Sequence, residues 1–177
     1  GIALRRAGLK LPILVLGGIF GPQVAEFIRT DLDITVSSLD KLRQVEAAAE
    51  ALGRKAGVHL KIDTGMERIG VHSYSSGPFI EAAVASQWID IKGVYSHLAC
   101  ADDPSSPMTA LQVKRFAEAC AHFDRLGAPM PPRHLANSGG VLHFPETWLD
   151  MVRPGIVLYG VLPDPVSQRT LELRPAL

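Results

Sequence analysis

At 177 residues, 47% of them apolar, the chain can bury a proper core as one domain of ordinary size. Lys plus Arg and Asp plus Glu balance at 18 each. That balance argues against a nucleic-acid footprint or an acidic membrane partner, so a small ligand held by local charges is expected.

No apolar run is long enough to cross a bilayer, and no signal peptide is visible. Cys100 and Cys120 make no disulfide framework, so a cytoplasmic, reducing setting is the simplest expectation.

In chain order, residues 12–16 (PILVL) read as a strand closed by Gly17 and Gly18, and Gly21-Pro22 opens a helix through residue 28. Residues 33–36 form a second strand. Ser37 or Ser38 can cap a helix over 39–52 whose apolar face is Leu39, Leu42, Val45, Ala48 or Ala49, and Leu52, with Gly53 at its end. Residues 58–63 alternate, with Val58, Leu60 and Ile62 on one face and His59, Lys61 and Asp63 on the other. A helix over 78–87 and a strand over 91–97 follow. Ser106 and Pro107 then start a long helix with a buried stripe of Leu111, Phe116, Cys120, Phe123 and Leu126, ending before Gly127. Residues 134–137 and 151–159 are the fifth and sixth strands.

Strands alternating with helices predict an α/β fold of parallel βα units, and a (β/α)8 TIM-type barrel closes such units right-handed. Six strands are two short, and no leading element is read before the first, so the opening βα units are expected upstream of residue 1. Residues 1–160 are assigned to the barrel domain. Residues 161–177 are assigned to a linker and the start of a C-terminal β domain. A doubly wound open sheet with the same strand count satisfies the same periodicity.

Barrel active sites lie at the C-terminal ends of the strands. There the third strand runs into KIDTGMERIG (61–70). Arg68 follows a Gly-containing turn and could fork onto a carboxylate or a phenolate; an ordinary surface cluster of Lys61, Asp63 and Arg68 is the plain alternative. His97 ends the fourth strand as either a proton relay or a satisfied structural histidine. Asn137-Ser138-Gly139-Gly140 opens a short helical turn, where backbone N–H groups can meet an anion. With the amides near Gly155 and Ile156, Ser138 makes a credible phosphate cradle. Arg153 is either half of a structural ion pair or a cation set against a ring or an anion. His97, Cys100, His134 and His143 have no metal-ligand spacing, so no metal is expected, and Ser138 lacks the G-x-S-x-G context of a hydrolase nucleophile.

Four stretches in this order, VHLKIDTGMERIG (58–70), YSHL (95–98), HLANS (134–138) and VRPGIVLYG (152–160), resemble the alanine racemases over nearly the whole chain. The resemblance implies a barrel holding pyridoxal 5'-phosphate, followed by a β-rich domain, in a head-to-tail homodimer that supplies D-alanine for peptidoglycan. It gives Arg153 the pyridine nitrogen, and makes His97 the link from Arg153 to a catalytic tyrosine. Arg68 takes the cofactor's phenolic oxygen and the substrate carboxylate. Lys61 matches a lysine carbamylated in many members. Ser138, Gly155 and Ile156 match the phosphate positions, with Asn137 beside them. The resemblance places the Schiff-base lysine upstream and the tyrosine in the C-terminal domain, since Lys10, Tyr74, Tyr95 and Tyr159 sit in the wrong motifs; these 177 residues alone are expected to be inactive. A racemase for another amino acid such as serine, a non-catalytic carrier of the cofactor and a decarboxylase of the same fold type are the alternatives. Arg153 argues against the last, which usually sets an acid at the pyridine nitrogen, and Arg68 argues against the carrier.

Overall fold

The computed structural model describes residues 1–163 and 171–176. Its elements are α1 (Ile2–Arg6), β1 (Leu14–Val15), α2 (Gly21–Arg29), β2 (Asp33–Val36), α3 (Leu39–Ala51), β3 (Ala56–Asp63), β4 (Val71–His72), α4 (Gly77–Ala85), β5 (Ile89–Tyr95), α5 (Met108–Arg125), β6 (Arg133–His134) and α6 (Ser138–His143). Short 3-10 turns cover Ser73–Ser75, Pro145–Thr147 and Ile156–Tyr159. All strand pairs are parallel, in the order β1-β2-β3-β5-β6, with β4 pairing the far end of β3. The sheet is curled and carries helices between its strands, an incomplete barrel of the expected α/β class.

Residues of both β3 faces are buried, His59, Lys61 and Asp63 as well as Val58, Leu60 and Ile62. This is the usual state of a parallel strand, one face covered by helices and the other turned into the barrel. Leu42 and Val45 of α3, Phe79 and Ile80 of α4, and Phe116 and Phe123 of α5 join Ile34, Val36, Leu60 and Ile62 in one core. Ser38 caps α3 by accepting from the Lys41 N–H at 3.1 Å. Between β3 and β5 the register slips, so that His59 faces Gly93 and Lys92 is the extra residue of a bulge.

Three expectations need correction. The sixth strand reduces to one bridge, Met151 with His134. Arg153 N–H still donates to the Ala136 carbonyl at 2.9 Å, but Pro154 has no N–H to continue the ladder, and the chain then turns into the Ile156–Tyr159 helix. A leading element does exist, helix α1, tied down by the Arg5 guanidinium on the carbonyls of Thr30, Leu9, Leu11 and Asp31. In α5 the buried positions are Thr109, Gln112, Phe116, Ala119, Cys120 and Phe123, whereas Leu111 and Leu126 are exposed. A count of apolar letters missed Gln112 because its burial is made possible by hydrogen bonds. Part of the expected linker, residues 164–170 and 177, lies outside the described residues; 171–176 has no regular structure.

Candidate active site

The polar side chains of β2, β3, β5 and β6 meet inside the curl. Tyr95 stacks on His134, with centroids 4.5 Å apart and rings 8° from parallel, and its hydroxyl shares a 2.9 Å hydrogen bond with Thr35. Lys61 Nζ and the Arg153 guanidinium lie 4.7 and 4.9 Å from the Tyr95 ring centre. Burial pushes the Lys61 ammonium down to about 7, and the charge of Arg153 adds to the effect. Among the described residues no carboxylate pairs with Lys61, Arg68 or Arg153. Positive charge at the strand ends, offset at Lys61 only in part by the Asp63 carboxylate, suits an anionic ligand.

Arg153 is held from three directions. One terminal nitrogen meets His134 Nδ1 at 2.6 Å, and the other donates to the carbonyls of Ser96 at 2.6 Å and Leu135 at 3.3 Å. Burial lowers its pKa to about 10, which leaves it protonated at neutral pH. His134 Nε2 in turn lies 2.8 Å from His59 Nδ1. An arginine can only donate, so His134 Nδ1 accepts and its proton sits on Nε2, where it is given to His59. Burial beside Arg153 presses the imidazole pKa of His134 down to about 2 and that of His59 to about 4.

The loop after β3 is organised by Asp63. Its Oδ1 accepts the N–H groups of Gly65, Met66 and Glu67 at 2.8, 2.9 and 3.2 Å, and its Oδ2 accepts that of Arg68 at 3.2 Å. These donors hold the carboxyl below its ordinary range against the desolvation that would raise it. Gly65 and Gly70 have φ of +140° and +128°, which a side chain would oppose. Arg68 is exposed, and its charge is felt at His97 and Lys61.

A second buried tie holds the loop after β5. Gln112 Nε2 donates to Thr64 Oγ1 at 3.0 Å and to the His97 carbonyl at 2.9 Å, while its Oε1 accepts the Ala99 N–H at 2.8 Å. Thr64 Oγ1 also meets Ser96 Oγ at 2.7 Å. His97 itself, pushed down to about 4 by burial and by Lys61, Arg153 and Arg68, is neutral at pH 7.

A cleft of about 360 Å³ opens beside Arg153, lined by His97, Asp102, Asn137, Ser138, Gly139, Arg153, Gly155, Ile156 and Pro163. Asn137 caps α6 through the Gly140 N–H and ties Leu98 through its amide, so its polar atoms shape the cleft floor. Ser138 Oγ accepts from the Val157 N–H at 3.3 Å, joining the two loops. Among the described residues the N–H groups of Ser138, Gly139, Gly155 and Ile156 have no protein acceptor. The second residue of Ser-Gly-Gly is glycine for packing, since a Cβ at Gly139 would stand 2.4 Å from the Ala101 carbonyl oxygen. At Gly155 a Cβ would meet nothing within 4 Å.

The structure therefore gathers His97, Asn137, Ser138, Arg153, Gly155 and Ile156 around one cleft, with Lys61 over the Tyr95 ring and Arg68 on the loop after β3. It does not bond His97 to Arg153; the imidazole on that guanidinium belongs to His134. His134 and His59 are the site residues that sequence reasoning missed. His134 was weighed only as a metal ligand, and His59 only as one more polar residue on the face of Lys61. The four residues weighed as metal ligands do not form such a group among the described residues.

Residues 1–163 match the family model described as alanine racemase, N-terminal domain. An alanine racemase from Desulforamulus reducens is 42% identical over 98% of this chain and 48% of its own length, and one from Beutenbergia cavernae is 43% identical over 99% and 48%. The chain thus spans about half the length of the curated relatives it matches. Among solved structures, the alanine racemase of Clostridium difficile 630 in complex with cycloserine superimposes with a TM-score of 0.92 at 36% identity, covering 99% of this chain and 49% of that one. The enzyme from the D-cycloserine producer Streptomyces lavendulae gives 0.87 at 39%, covering 99% and 47%. With a barrel-type sheet, a family model over all but its last residues and neighbours of the same fold, this chain belongs to the alanine racemase family.

Proposed function

We propose that the chain forms the cofactor-holding part of an enzyme that interconverts L- and D-alanine with pyridoxal 5'-phosphate, acting in the cytoplasm as a homodimer and supplying D-alanine for peptidoglycan. One observation carries the reading: the anchored guanidinium of Arg153 and four N–H groups without an acceptor among the described residues belong to residues lining the same cleft. A flat ligand with a ring nitrogen at one end and a phosphate at the other fits that donor set. Phosphate is favoured where N–H groups gather at turns and helix starts, and the open space beside Gly155 leaves room for it.

In this reading the amides at Ser138, Gly139, Gly155 and Ile156, with Ser138 Oγ, hold the phosphate, and Arg153 donates to the ring nitrogen. When bound, the cofactor supplies an electron sink for the negative charge left as the substrate Cα–H bond is broken. Arg153 keeps its proton, so the ring nitrogen stays an acceptor and the sink stays weak. That arrangement would favour return of the proton to Cα over transamination. His97, neutral beside the cleft at pH 7, offers one ring nitrogen as a hydrogen-bond acceptor and the other as a donor. Arg68, on the loop held by Asp63, takes the substrate carboxylate. Lys61, brought down to about 7, has at neutral pH a share of the neutral, nucleophilic amine that carbamylation needs. Serine in place of alanine remains the second substrate to assay.

The test uses a full-length racemase polypeptide carrying this sequence. Pyridoxal phosphate should bind with a visible absorbance band, and L-alanine should lose optical activity. Arg153→Glu should slow racemisation and raise transamination. Unchanged partitioning between the two products would refute the role given to Arg153.

A further inference from the structure

Arg153 must present its free N–H edge to the cleft, and what aims it is not itself in the cleft. His134 is fully buried, bonded through Nδ1 to Arg153 and through Nε2 to His59. A neutral imidazole has two tautomers, and they have opposite consequences here. With the proton on Nε2, His134 offers Arg153 a lone pair. With the proton on Nδ1, it would set an N–H against a guanidinium, donor to donor.

Arg153, which can only donate, requires the first of them, and His59 is placed to accept the proton that this form carries on Nε2. His59 approaches from β3 with Nδ1 towards His134, and its own ring position is made by the bulge in β5. At Gly93 a Cβ would lie 2.4 Å from His59 Nδ1 and 2.7 Å from Cε1. Only a residue without a side chain leaves room for the imidazole at that register. An acceptor at this place rewards the Nε2–H tautomer of His134, and the stack on Tyr95 keeps the His134 ring from turning away.

We infer that His59 is a positioning residue: it accepts the buried Nε2–H of the His134 tautomer that Arg153 requires, holds that imidazole in place, and so aims the guanidinium into the cleft. The inference rests on the reading that the cleft binds pyridoxal phosphate, but the tautomer can be measured without that ligand.

Nitrogen-15 NMR of the imidazoles in the cofactor-free, full-length polypeptide should show His134 with Nε2 protonated and Nδ1 bare. His59→Phe keeps a flat ring and removes the acceptor, so the Nε2–H proton of His134 should lose its partner and shift upfield, and pyridoxal phosphate affinity should drop about tenfold, the loss of one charge-linked hydrogen-bond chain. His59→Gln, which can still accept, should restore both. His134 protonated at Nδ1 in the unaltered protein would overturn the inference, and so would a His59→Phe protein with the original Nε2–H shift and affinity. If His59→Phe fails to fold, the unaltered protein and His59→Gln still decide it. Failure of the unaltered protein to bind pyridoxal phosphate while His134 keeps the expected tautomer would overturn the cofactor reading alone.

Discussion

Asp63→Asn isolates the device that presents Arg68. The carboxylate accepts four successive backbone N–H groups, three on Oδ1 and one on Oδ2. Hydrogen bonds to a charged acceptor contribute about 1.5–3 kcal/mol each, against about 1 kcal/mol for neutral ones. Asparagine keeps one oxygen for the first three donors but removes the charge, and it turns an NH2 group towards the Arg68 N–H. One bond is lost and three weaken, so the loop should be destabilised by about 2–4 kcal/mol, discounted because Glu67 and Arg68 are exposed and water can replace part of the loss. Amide hydrogen exchange should report this as faster exchange at residues 65–68, tens to hundreds of times, while β3 and α5 stay protected. If Arg68 binds the substrate carboxylate, KM for alanine should rise more than kcat falls. Unchanged exchange at 65–68 would show that the turn holds itself, and that Asp63 is not its organiser.

Gly93→Ala should cost about 1–3 kcal/mol in urea unfolding, the usual result of overpacking, because the new methyl displaces His59 and crowds the Pro132 carbonyl at 3.1 Å. A variant as stable as the parent would mean that the bulge has slack. Folding stability should fall as pH is lowered from 6.5 towards 4. His59, His97 and His134 are held neutral when folded and bind protons near pH 6.5 when unfolded, so the unfolded state takes up more protons throughout that window. For His59 and His134 together the loss between pH 6.5 and 5.5 should be about 2 kcal/mol. A flat melting temperature over that range would contradict their neutrality. Gln112→Leu should leave the His97 carbonyl and the Ala99 N–H without partners and Thr64 Oγ1 with Ser96 alone, lowering stability by about 2–3 kcal/mol and loosening the loop that carries His97. Wild-type exchange rates at Ala99 in that variant would argue against the clamp.

The βα order was readable because it is local. Ser38 before a helical apolar stripe, and alternation across residues 58–63, each follow from spacing over a few residues. The motifs that gather at the cleft were readable because strand ends of a parallel barrel meet on one side, so Lys61, His97, Asn137 and Arg153 could be expected together. What spacing could not reveal was pairing. The partner of Arg153 depends on the shift that sets His59 against Gly93 and on the depth of His134, both properties of neighbouring strands rather than of any one segment. Gln112 was hidden for the same reason, because its partners come from two other elements. The sixth strand was misread because Val152, Ile156 and Val157 have β-type side chains, whereas Pro154 decides the backbone.

The most direct measurement is a crystal structure of the full-length polypeptide with pyridoxal phosphate. Arg153 should then lie within hydrogen-bond distance of the ring nitrogen while still touching His134 and Ser96, with the phosphate on Ser138 and the amides of Gly155 and Ile156. A phosphate bound away from those amides, or a carboxylate in place of Arg153 at the ring nitrogen, would contradict the account.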